Sequence, residues 1–160
     1  MIDFYIKQNL EQDNLRNILK EVLNLGVDDF CLIHYEDFTP ENTVYDFNKF
    51  KVICTYQFCK GDVSLLINII DGDELDNDFI VENLKNKAKE EHLDFYLPDE
   101  DNMDMGSFVL YLSNGKLIKN LEIQEEEDNY IFSCSNKILR DLPNNINTMI
   151  EWLRTNRNDI

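Results

Sequence analysis

The sequence predicts an α+β fold: a single antiparallel-rich sheet of two hairpin or meander units, with about three helices packed against it. Three observations carry this. Apolar residues alternate over 2–6, 52–58, 63–69 and 108–112, and they recur at three- and four-residue spacing over 15–25, 80–88 and 146–153. No internal repeat, Ser/Gly-rich linker or low-complexity stretch separates these segments, so one domain over 1–160 is expected from a chain of 160 residues that is 43% apolar.

Ile2, Phe4 and Ile6 alternate with Asp3, Tyr5 and Lys7, the pattern of a half-buried strand. Leu15, Ile18, Leu19, Val22 and Leu25 then mark a helix over about 10–25, with Gly26 placed to end it in a left-handed conformation. Phe30 to Tyr35 reads as a second strand, and Thr39-Pro40 as a loop. Val52, Cys54, Tyr56 and Phe58 lead to Lys60-Gly61, and Val63, Leu65, Ile67 and Ile69 follow it. A tight hairpin there is expected to put all eight on one core face.

After Asp71-Gly72-Asp73, a helix from about Asp78 to Glu91 buries Ile80, Leu84 and Ala88, with Asp76 or Asp78 favourable at its start. A short strand at Phe95–Leu97 and an acidic loop from Pro98 to Asp104 come next. Asn114-Gly115 predicts a type I′ turn that pairs Leu112 with Leu117, leaving Lys119 discordant on an apolar face. Glu125 to Asn129 turns the chain again into a strand over Tyr130–Cys134. Pro143 then opens a last helix with Ile146, Met149, Ile150 and Leu153 as its buried stripe.

No catalytic, metal or cofactor motif appears. Asp71, Asp73 and Glu82 occupy three positions of a calcium loop, but Leu75 and Asp76 stand where an oxygen ligand and a glycine are needed. His34 and His92 lack neighbours at zinc spacing, and no Gly-x-Ser-x-Gly elbow or Gly-rich phosphate loop occurs. Cys31, Cys54, Cys59 and Cys134 form no Cys-x-x-Cys pair and read as reduced core residues. With no signal-peptide pattern and no apolar run of about 20 residues, a cytoplasmic protein without a membrane contact is expected.

Charge is the unusual quantity. The chain has 32 acidic and 15 basic residues, a formal charge of −17. Residues 71–104 hold thirteen acids against three lysines, and Glu122 with Glu125 to Asp128 forms a second patch. Such a field repels nucleic acid and attracts basic partners. A solvated coat that keeps the protein dissolved is the plain alternative. Read functionally, Asp73, Glu74, Asp76, Asp78, Asp99, Glu100, Asp101, Asp104, Glu125, Glu126, Glu127 and Asp128 are the expected contacts to a basic protein. Tyr96 and Tyr130, with Phe79 and Phe95, are candidate aromatic anchors among them.

In size, acidity and lack of an active site the chain resembles the immunity proteins that bacteria pair with toxins. The resemblance covers the whole chain in size and charge and rests on no motif. It implies a monomer or weak dimer, without cofactor, that neutralises a basic toxin domain, most naturally a nuclease. A DNA mimic that blocks a restriction or CRISPR effector is a second use of the same field, and a domain with an unrecognised ligand site is a third.

Overall fold

A computed structural model of the chain describes residues 2–39, 46–71, 75–99 and 106–134. Strands β1 (Ile2–Ile6), β2 (Phe30–His34), β3 (Val52–Phe58), β4 (Lys60–Gly61), β5 (Leu65–Asp71), β6 (Phe95–Pro98), β7 (Ser107–Tyr111), β8 (Leu117–Glu126) and β9 (Asn129–Cys134) join in one sheet, ordered β2-β3-β5-β1-β6-β7-β8-β9-β4. Helix α1 (Gln12–Leu23) follows β1, and α2 (Asn77–Glu91) follows β5. The α+β class holds, but the sheet is mixed: β2–β3 and β4–β9 run parallel, and the remaining pairs are antiparallel. The two expected hairpin units are fused, because β1 pairs with β5 on one side and β6 on the other. The expected third helix, from Pro143 onward, lies outside the described residues.

Leu15, Ile18, Leu19, Val22 and Leu23 line one face of α1 and are buried, as their three- and four-residue spacing requires. The helix ends at Asn24 rather than Gly26. Asn24 takes φ 53°, and Leu25 N donates to Lys20 O at 3.1 Å, which closes the last turn. In α2, Asp76 is the N-cap, accepting from Asp78 N at 3.0 Å and Phe79 N at 3.4 Å. Its other end closes on His92, also left-handed at φ 56°, with Leu93 N donating to Ala88 O at 2.8 Å. The helices are tied together by Asn83 Nδ2 donating to Val22 O at 3.0 Å and by Lys87, whose amine reaches Glu21 at 2.6 Å and Glu91 at 3.0 Å.

Both helices cover one face of the sheet, where Phe4, Ile6, Leu32, Cys54, Ile67, Leu84 and Phe95 form the main core. The opposite face carries a second, aromatic core of Tyr5, Val63, Tyr96, Phe108, Leu110, Leu121 and Tyr130, with Phe132 packed against it. Tyr96 stacks on Phe132 at 3.8 Å, and Tyr5 meets Phe108 edge-on at 5.7 Å. Strands β1 and β6 are therefore buried on both sides.

The first hairpin pairs Cys54 with Ile69, Tyr56 with Ile67 and Phe58 with Leu65, but its eight apolar residues do not share one core. Phe58 is 52% exposed at the end of the ladder. Val63 lies in the second core, because the turn leaves the β3–β5 ladder and Lys60–Gly61 pairs with Asn129 and Tyr130 of β9 instead. At the second hairpin the type I′ turn is absent: Asn114 keeps a negative φ, and Gly115 alone is left-handed at φ 85°. Gly115 N donates to Leu112 O, and Leu112 N to Lys116 O, so Tyr111 pairs with Leu117. A register shift opposite Phe108–Leu110 then brings Ile118 and Leu121 to the second core. That bulge removes the discordance of Lys119, which lines a cleft on the other side.

Candidate functional site

Two acidic places stand out. The first is a cleft of about 390 Å³ at the start of α2, lined by Asp3, Asp78, Asp99 and Lys119, with Val81, Leu97 and Val109 as apolar wall. Asp3 reaches it from β1 and accepts from Asn68 Nδ2 at 2.9 Å, which continues a polar ladder to buried Thr55. Asp99 is fixed at the end of β6 by its backbone N–H, which donates to Ser107 O at 2.8 Å. Asp78 is exposed in the first turn of α2, where the helix dipole favours a carboxylate. Carboxylates beside aliphatic side chains suit the build of a lysine or arginine side chain, an apolar stem with a cationic head.

The second is the tip of the β8–β9 hairpin. Glu126 pairs with Asn129, so Glu127 and Asp128 make the turn, with Glu127 left-handed at φ 57°. Glu125, Glu126 and Glu127 are exposed. Asp128 is held at 3.0 Å by Lys60, whose hydrogen bond keeps this carboxyl below the usual range. Tyr130 Oη donates to Glu125 at 3.3 Å. Burial, and after it the Glu125 charge, pushes the Tyr130 phenol well up. The tip docks on the turn between β3 and β5, where Ser64 N donates to Ile6 O at 2.9 Å. The cleft is thus lined from the Ile2 end of β1, while the tip lies by the turn bonded to its Ile6 end.

Of the residues expected to contact a partner, Asp78 and Asp99 meet in the cleft, and Glu125, Glu126, Glu127 and Asp128 share the hairpin tip. Asp76 turns its carboxylate to its own helix amides, so its role is structural. Tyr96 and Tyr130 are 4% and 3% exposed and belong to the second core, which removes them as surface anchors. Tyr96 alternates with equally buried Phe95 and Leu97, which gives no sign of this, because β6 is covered on both faces. Phe95 is buried too, while Phe79 is 45% exposed beside Asp78. Asp73, Glu74, Glu100, Asp101 and Asp104 lie outside the described residues. Tyr35 and Phe58, which the sequence does not single out, are the most exposed large apolar side chains described.

The acids differ in how they are paired. On the helices, Glu21, Glu82, Glu90 and Glu91 all reach Lys85 or Lys87. Among the described residues, Asp78, Asp99, Glu126 and Glu127 form no ion pair. No three His, Cys, Asp or Glu side chains among the described residues are grouped so as to hold a metal ion. No described helix is long and apolar enough to cross a membrane. Comparison with known proteins finds no match to a family model, a curated protein or a solved structure.

Proposed function

We propose that this chain is an acidic protein-binding module that neutralises a basic partner, in the manner of immunity proteins that inhibit nuclease-type toxins. The observation that carries the reading is that Asp78 and Asp99 in the cleft, and Glu126 and Glu127 at the hairpin tip, form no ion pair among the described residues, whereas Glu21, Glu82, Glu90 and Glu91 each reach a lysine. Unpaired like charges raise the energy of the folded state by self-repulsion, and a cationic partner relieves it. Two compact places favour recognition of a protein over imitation of DNA, which calls for one long row of phosphate-like charges.

Affinity capture tests this. The immobilised chain is expected to retain a basic protein from an extract of its own source, released by salt, whose nucleic-acid-cleaving activity falls stoichiometrically when the chain is added. Retention of no basic protein, or an activity that the chain leaves untouched, would contradict the proposal.

A further inference from the structure

His34 ends β2, and its register partner on β3 is Tyr56, with Phe58 two residues further along the same face. The three rings form one cluster: His34 stands edge-on to Tyr56 at 5.2 Å, Tyr56 edge-on to Phe58 at 5.7 Å, and His34 lies 6.2 Å from Phe58. Tyr35 follows in a 3-10 turn, Tyr35–Asp37, that packs against β3. Tyr35 is 56% and Phe58 52% exposed, so folding leaves much of both rings in water. Exposed aromatic surface of this kind marks recognition sites. Its rim is acidic: Glu36, with a side chain 85% exposed, lies 3.9 Å from His34 Nδ1, and Asp37 is exposed next to it.

We infer that this aromatic surface receives an arginine side chain of the basic partner. The inference rests on the partner's basic character proposed above, but it places an anchor on residues that line neither acidic site, next to the turn on which the hairpin tip docks. A purely apolar partner would desolvate the exposed Glu36 carboxylate at a cost that a cationic partner offsets. A second copy of the chain would bring another charge of −17. An arginine satisfies both features at once, because its planar guanidinium stacks on a ring face while its N–H groups bond a carboxylate. Lysine offers a hydrated point charge and fits the rings less well.

The test is an NMR titration of the full chain with the blocked peptide Gly-Arg-Gly-Arg-Gly and its lysine counterpart. The expected result is that the arginine peptide binds more tightly and shifts the ring resonances of Tyr35 and Phe58. Phe58→Leu and Tyr35→Leu, which keep apolar bulk at exposed positions, should each weaken it about two- to fivefold. Equal binding of the two peptides, or unchanged affinity in both leucine variants, would overturn the inference. So would a dimer of the native chain that Phe58→Leu abolishes. If Glu125, Glu126 and Glu127 reversed to lysine abolish peptide binding while the leucine variants do not, the charge reading stands and the aromatic anchor falls.

Discussion

Gly61 occupies φ +86°, and a Cβ there would run into the carbonyl oxygen of Tyr130 and the side-chain oxygen of Asn129. Backbone cannot give way as a flexible side chain can, and the left-handed conformation itself costs a residue with a Cβ about 1–2 kcal/mol. Gly61→Ala is therefore expected to destabilise the protein by about 2–4 kcal/mol in chemical denaturation and to loosen the amides of β9. A loss within about 0.5 kcal/mol would contradict the described closure of β4 on β9. Little of this is legible in the sequence, where Lys60-Gly61 reads as an ordinary hairpin turn. The left-handed residues show the same limit: Asn24 and His92 end the helices, although glycine is the residue from which such an end is read. Asn and His tolerate positive φ well enough for tertiary context to choose them.

At the level of elements, the two described helices were the most legible part, since a buried stripe is written in spacing alone. Strand existence was legible as well, but register and facing were not, because the turn pairs Tyr111 rather than Leu112 with Leu117 and a bulge opposite Phe108–Leu110 then changes the register by one residue. The second core has a measurable signature. Burial pushes the phenols of Tyr5 and Tyr96 up to about 12 from 10.0, with Glu125 adding to the rise at Tyr5 and Asp62 at Tyr96. A pKa raised by folding means that the folded state holds the proton more firmly. Stability from these groups is thus complete below pH 10 and declines as pH rises toward 12. An alkaline titration followed by tyrosine absorbance and circular dichroism checks this. Tyr5, Tyr96 and Tyr130 should ionise only together with loss of the circular-dichroism signal. Reversible ionisation of every tyrosine near pH 10 with the fold intact would contradict the second core.

Across the whole molecule, the excess of negative charge was legible in composition, and its division between two ends of β1 was not. The sequence places thirteen acids within 71–104, yet several of the described ones serve the helix: Asp76 caps it, and Glu82, Glu90 and Glu91 bind its lysines. What remains unmatched is a smaller set, and the central claim is that this set recognises a cationic protein. The most direct measurement is the affinity for the captured basic partner as a function of salt, for the native chain and for a variant with Asp99→Lys, Glu125→Lys, Glu126→Lys and Glu127→Lys. Between about 0.01 and about 0.1 M salt the screening length falls from about 30 to about 10 Å. The native chain is expected to lose affinity tenfold or more over that range, and the variant to bind weakly at both ends with little salt dependence. Equal affinities and equal salt slopes for the two would show that these carboxylates serve solubility alone.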